Sequence, residues 1–162
     1  YIDQKLFNAV VRDLEKHGKI VTDRENIRLP DHRVSLLADQ EALRQAIADW
    51  YQSSALTPPS LREVTEKFRE QKSPVGSILN VMLKDGTLTK INEDLCFDSS
   101  ALGRLREDYK ILLLKEGKAT PASFKELTGL SRKYIIPLME YFDVIKLTVR
   151  SGDHRLLREK GN

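Results

Sequence analysis

The strongest constraint on this chain's fold is a recurrence. A helical period, a short helical stretch, a second helical period and two β-prone runs occur in that order at residues 38–97 and again at 100–158. In the first block, Ala42, Leu43, Ala46, Ile47 and Trp50 mark a helix with Asp39 as its expected cap. Ser60 and Glu63 read as a capping box for a short helix through Phe68. A third helix starts near Ser73-Pro74, carries Val75, Ile78, Leu79 and Met82, and ends at Gly86. Strands are expected at Leu88–Ile91 and Leu95–Phe97. In the second block, a helix with Leu102, Leu105, Tyr109, Leu112 and Leu113 stops at Gly117, and Thr120-Pro121 opens a short helix broken by Gly129. Ser131 caps a helix with Ile135, Leu138, Met139 and Phe142 on its apolar side and Pro137 inside it. A hairpin closes the block around Ser151-Gly152-Asp153-His154.

The first 29 residues repeat only the second half of the pattern, a helix over Ile2–His17 and strands on either side of Asp23-Arg24-Glu25. Leu14, Met82 and Phe142 each stand four residues before Gly18, Gly86 and Lys146, which fixes the phase and gives offsets of 68 and 60 residues. Such a unit is a small domain, longer than a solenoid repeat, and close to the minimum for a core of its own. Neighbouring copies are therefore expected to pack on one another. Three helices closed by a β-hairpin form a winged helix, a helix-turn-helix variant. The expected class is mostly α with small β-hairpins, arranged as tandem winged-helix domains. In such folds the third helix and the wing are the usual nucleic-acid surface, although the same scaffold also serves protein binding.

Charge points to one end. Residues 33–98 carry eight bases and ten acids, whereas residues 99–162 carry thirteen bases and eight acids. A negatively charged partner is expected to meet the last third first. The longest strictly apolar run, Ile111–Leu114, is four residues, so no membrane-spanning helix is expected. The single cysteine, Cys96, precludes an intramolecular disulfide and fits an intracellular chain. The start at Tyr1 reads as a processed chain or a fragment.

Two segments carry a specific resemblance. The helix Ser131-Arg132-Lys133-Tyr134-Ile135-Ile136-Pro137-Leu138-Met139-Glu140-Tyr141-Phe142-Asp143 and the hairpin Thr148–Arg158 resemble the end of the bacterial selenocysteine-specific translation elongation factors. Pro30–Leu36 looks like the linker between that family's winged-helix units, and the Pro58-Pro59 loop is similar too. The resemblance implies a chain cut from a longer protein. Residues 1–32 would be the second half of one winged helix plus a linker, 33–98 a further unit, and 99–162 the principal RNA-binding unit. It also implies binding to the selenocysteine insertion stem-loop of selenoprotein mRNA. That binding would tether a selenocysteyl-tRNA-delivering GTPase to the ribosome for UGA recoding in the cytoplasm. GTP and magnesium would belong to the missing GTPase part. This part would be a monomer that holds no cofactor, catalyses nothing and touches no membrane.

The residues themselves suit such a task. A hairpin of RNA is read through shape, phosphates and unstacked bases. The Ser131 cap offers backbone N–H groups and the positive helix end, to which Arg132 and Lys133 add charge. Tyr134 is either a stacking face or a core residue. Arg150, Arg155 and Arg158 straddle the last turn with bidentate geometry for phosphate or guanine, and Ser151 and Gly152 allow close backbone approach. Asp153 is a turn cap or a partner of an arginine, and His154 an exposed turn residue, a donor or a stacking group. His17 and His32 lack companions at metal-ligand spacing. No Gly-x-Ser-x-Gly elbow or phosphate loop occurs. Cys96 alternates with Leu95 and Phe97 and is expected to be exposed. The alternatives are a winged-helix DNA regulator or a protein-protein interaction module. The first fits less well, because the last helix has its bases only at its start.

Overall fold

The computed structural model describes residues 4–23, 26–28, 30–71 and 74–158. Arg24, Glu25, Leu29, Lys72 and Ser73, on which the first turn and the expected start of the third helix fall, lie outside the described residues. Residues 1–43 and 44–162 form two compact units.

In the first unit, α1 (Gln4–Lys16) is amphipathic, yet none of its residues is buried, and Leu6, Phe7 and Val10 are exposed. β1 (Val21–Asp23) pairs antiparallel with β2 (Asn26–Arg28). The next helix, α2 (Pro30–Ser54), begins earlier than the sequence suggests. The expected linker after Pro30 is helical, and Asp39 lies inside the helix instead of capping it. Proline fits a first helical turn, and no glycine or further proline interrupts the chain before Pro58.

The second unit holds the first copy of the repeat from residue 44 onward and the whole of the second. The end of α2 contributes the buried Ile47 and Tyr51. α3 (Leu61–Lys67), α4 (Val75–Lys84) and the hairpin β3 (Leu88–Lys90) and β4 (Cys96–Asp98) complete the first copy. α5 (Ser99–Glu116), α6 (Pro121–Thr128), α7 (Arg132–Val144) and the hairpin β5 (Thr148–Ser151) and β6 (His154–Leu157) make the second. The tandem winged-helix class is thus observed. Both short helices open with a reciprocal capping box, Ser60 with Glu63 and Thr120 with Ser123. In both copies the entry to the short helix bridges to the second half of the wing, through Ser60–Leu95 and Ala119–Arg155.

No loop separates the copies. Asp98 ends β4 and caps α5, its carboxylate accepting from the Ala101 N–H at 2.9 Å. The burial of β4 is continuous. Leu95 and Phe97 belong to the same apolar cluster as Leu105, Tyr109, Phe124, Leu138 and Phe142 of the second copy. Cys96 points the other way and is fully buried, which corrects the expectation of an exposed thiol. An outer wing strand shows one face to water. β4 is covered on both faces because the second copy lies against it. Burial pushes the Cys96 thiol up to about 11.

Candidate nucleic-acid interface

The helix-turn-helix of the second copy is built from local signals. Pro121 at the first turn, the Thr120 cap and Gly129 in the left-handed conformation (φ 69°) bound α6. Two residues later Ser131 takes the extended N-cap conformation of α7, but its hydroxyl makes no capping bond. The first-turn N–H groups of Arg132 and Lys133 are therefore without a side-chain cap, and both side chains are exposed. This is the arrangement that favours an anion at a helix start.

Tyr134 is only half-exposed. Its ring meets the edge of Phe97 at 6.4 Å between centroids, and its hydroxyl donates to the Pro58 carbonyl at 3.5 Å. It sits in the seam between copies, so of its two expected roles the core one describes its surroundings. Lys133 Nζ lies 5.2 Å from the Tyr134 ring centre. Glu63 of the α3 capping box also feels the Lys133 charge. The Glu63 carboxyl is held below its ordinary range by the Ser60 N–H and hydroxyl first, with Lys133 a lesser contributor.

The wing turn is tight. Strand pairing runs to Ser151 opposite His154, leaving Gly152 and Asp153 as the two-residue turn, with Gly152 at φ +63°. Arg150 is exposed, and its Nε donates to the Gly152 carbonyl at 3.1 Å, which folds the guanidinium over the turn. The Asp153 side chain is 94% exposed and pairs with His154 Nδ1 at 3.1 Å. Its carboxyl is held below the ordinary range mainly by that hydrogen bond, with Lys118 contributing last. Ser151 and Arg158 are exposed.

Arg155 differs from the expectation of an outward-facing base. It is 4% exposed, and its Nε donates to the Asp143 carboxylate at 3.2 Å. Thr148, also buried, donates its hydroxyl to the other carboxylate oxygen at 2.6 Å. Sequence reading placed Arg155 with Arg150 and Arg158 because all three flank one turn. The acid that draws it inward is twelve residues upstream on another element.

Two cations, Lys125 and Lys118, were not read from the sequence. Lys125 and Arg132 line a cleft of about 320 Å³ with Pro121, Ala122 and Ile135, between α6 and α7. Lys118 comes near the wing turn because its neighbour Ala119 bonds both ways with the Arg155 backbone, at 2.9 and 2.8 Å. Aligning the entries to the two short helices would have signalled the second. Among the described residues, no group of His, Cys, Asp and Glu side chains is placed to hold a metal ion, and no helix is long and apolar enough to cross a membrane.

Residues 111–157 match the family model of the elongation factor SelB winged helix. Over 156 residues, 96% of this chain, it is 30% identical to a selenocysteine-specific elongation factor of Desulfomicrobium baculatum. It is 24% identical over 157 residues to the one from Escherichia coli K12. The chain spans a quarter (25%) of the length of these curated relatives. Among solved structures, it resembles the mRNA-binding domain of E. coli SelB in complex with SECIS RNA. The TM-score there is 0.62 at 24% identity, over 75% of this chain and 98% of that one. A bacterial selenocysteine-specific elongation factor, EF-Sec, is similar over 95% of this chain and 24% of its own, with a TM-score of 0.57 at 23% identity. At these identities the two structures speak for the fold.

Proposed function

We propose, on the premise that the winged helices of this chain are those of the SelB elongation-factor family, that residues 99–158 bind a stem-loop of selenoprotein mRNA. The observation that carries this reading is the pair of exposed basic features on that one copy. These are the uncapped start of α7 with Arg132 and Lys133, and the tight wing turn with Arg150 beside Gly152. Arg150 and Arg158 would meet phosphate or a guanine edge, and the Gly152 backbone would allow close approach. Lys125 and Lys118 extend the cationic surface. Ser131, Ser151 and His154 add hydrogen-bonding groups at the two features. Tyr134 and Arg155 hold the surface up from behind, without touching RNA.

In this reading the rest of the longer protein is a GTPase that uses GTP and magnesium and delivers selenocysteyl-tRNA to the ribosome. The present part is its non-catalytic mRNA tether, working in the cytoplasm as a monomer. Residues 33–98 position the RNA-binding unit, and residues 1–32 complete a preceding winged helix.

The test is a titration of the 162-residue chain with a labelled selenoprotein-mRNA hairpin at several salt concentrations, against a loop-altered hairpin and a DNA duplex of equal length. Loop-dependent binding that weakens steeply with salt is expected. Arg150→Ala and Arg132→Ala should each weaken it and lower the salt slope by about 0.7–0.9 for each phosphate no longer neutralised. Equal, weak binding to all three nucleic acids would refute the proposal.

A further inference from the structure

The wing of the second copy is held by one residue through three bonds to two places. Arg155 lies on β6, and its backbone N–H and carbonyl both bond to Ala119, at the entry to α6. Its side chain crosses to Asp143, next to last in α7, at 3.2 Å. The same carboxylate accepts from Thr148 at the start of β5 at 2.6 Å. Both wing strands are thereby fastened to the end of the helix whose beginning carries Arg132 and Lys133.

Charge makes this fastening consequential. In the hairpin register Arg155 stands directly opposite Arg150. Residues so paired share one face of the sheet, and like charges there repel. Asp143 cancels one of the two. Arg150 can then lie over the turn and present its charge outward while its neighbour is locked inward.

We propose that Asp143 and Arg155 are positioning residues for RNA binding. Their ion pair, with Thr148, fixes the wing against α7 and so holds Arg150 where it meets the RNA. The inference rests on the RNA-binding reading above. It opposes the simpler expectations for these side chains. An acid on a basic RNA-binding unit should weaken binding by repulsion, and an arginine beside the wing turn should touch phosphate directly.

The experiment uses the whole chain with Asp143→Asn, Arg155→Lys, Arg155→Met and Thr148→Val. Hairpin affinity is measured across a salt series, and amide exchange of the wing without RNA. Asp143→Asn removes a negative charge, yet it is expected to weaken binding about tenfold with an unchanged salt slope, the cost of giving up a charge-assisted hydrogen bond. Arg155→Lys keeps the charge but loses the planar donor, and should behave like Arg155→Met. Thr148→Val, which removes one hydrogen bond at nearly constant shape, should weaken binding about threefold in the same direction. Wing amides around Arg150 should exchange faster in Asp143→Asn than in the parent.

Binding by Asp143→Asn that is unchanged or tighter would overturn the proposal. So would Arg155→Lys binding like the parent while Arg155→Met lowers the salt slope by about 0.7–0.9, the mark of a direct phosphate partner. Unchanged wing exchange in Asp143→Asn would also overturn it. A parent chain with no preference for the hairpin would instead overturn the RNA reading. The exchange data would still decide whether the ion pair fastens the wing.

Discussion

Cys96 illustrates how a single residue reports its neighbours. Its thiol is enclosed, and its ionisation is displaced to about 11 because the thiolate would lose hydration there. The folded form therefore keeps its proton over a range where the unfolded chain gives it up. Stability from this group is fully present below the ordinary thiol range. It falls as pH rises from there towards 11. Two outcomes are expected. A thiol reagent at pH 8 should label the native chain at least about a hundredfold more slowly than the denatured chain. The midpoint of urea unfolding should drop between about pH 8 and pH 10, and less so in Cys96→Ala. Rapid native labelling would contradict the burial. The alternation of Leu95, Cys96 and Phe97 was legible in the sequence, but its meaning was not. Period two says that successive side chains face opposite ways. It does not say that both sides are covered. Arg155 was misread for a related reason, since the Asp143 that turns it inward is distant in sequence.

At the level of elements, the joint between the helix that precedes each hairpin and the hairpin itself is the same each time. Gly18, Gly86 and Lys146 occupy equivalent places, and all three have positive φ, at 67°, 82° and 62°. The phase read from Leu14, Met82 and Phe142 thus corresponds to a backbone conformation. For lysine that conformation costs about 1–2 kcal/mol that glycine avoids, part of which glycine returns in unfolded-chain entropy. Lys146→Gly should raise stability by about 0.5–1 kcal/mol in urea unfolding, without altering the salt slope of the proposed RNA binding. A loss of stability would mean that the lysine side chain contributes more than its strain. The capping boxes, the hairpins and the helix order were legible because each is written within a few residues. The start of α2 was not. Pro30 can open a helix as readily as it can sit in a linker, and only the absence of a later breaker decides between them.

For the molecule as a whole, the decisive feature is the apolar cluster that crosses from β4 into the second copy. Phe97 has no exposed surface, and it packs its ring against Tyr134. Copies that share such a core should unfold together. Trp50, the single tryptophan, lies in the first copy and reports it alone. Its fluorescence should change at the same temperature as the total helical signal of residues 44–158. Phe97→Ala should cost about 3–5 kcal/mol and lower both midpoints in step. Two separated transitions would refute the common core. The sequence pointed to packing between copies only through their small size. Which residues meet is settled by shape across the seam, and no periodicity carries that. The shared core also bears on heredity. Recombination between genes of related proteins preserves this packing when both parental junctions fall outside the stretch from Leu56 to Leu157. A crossover at residue 98 would set the Phe97 of one lineage against the Tyr134 of another. Exchange of one copy alone would therefore re-pair both sides of this seam, although each copy has the outline of an exchangeable module.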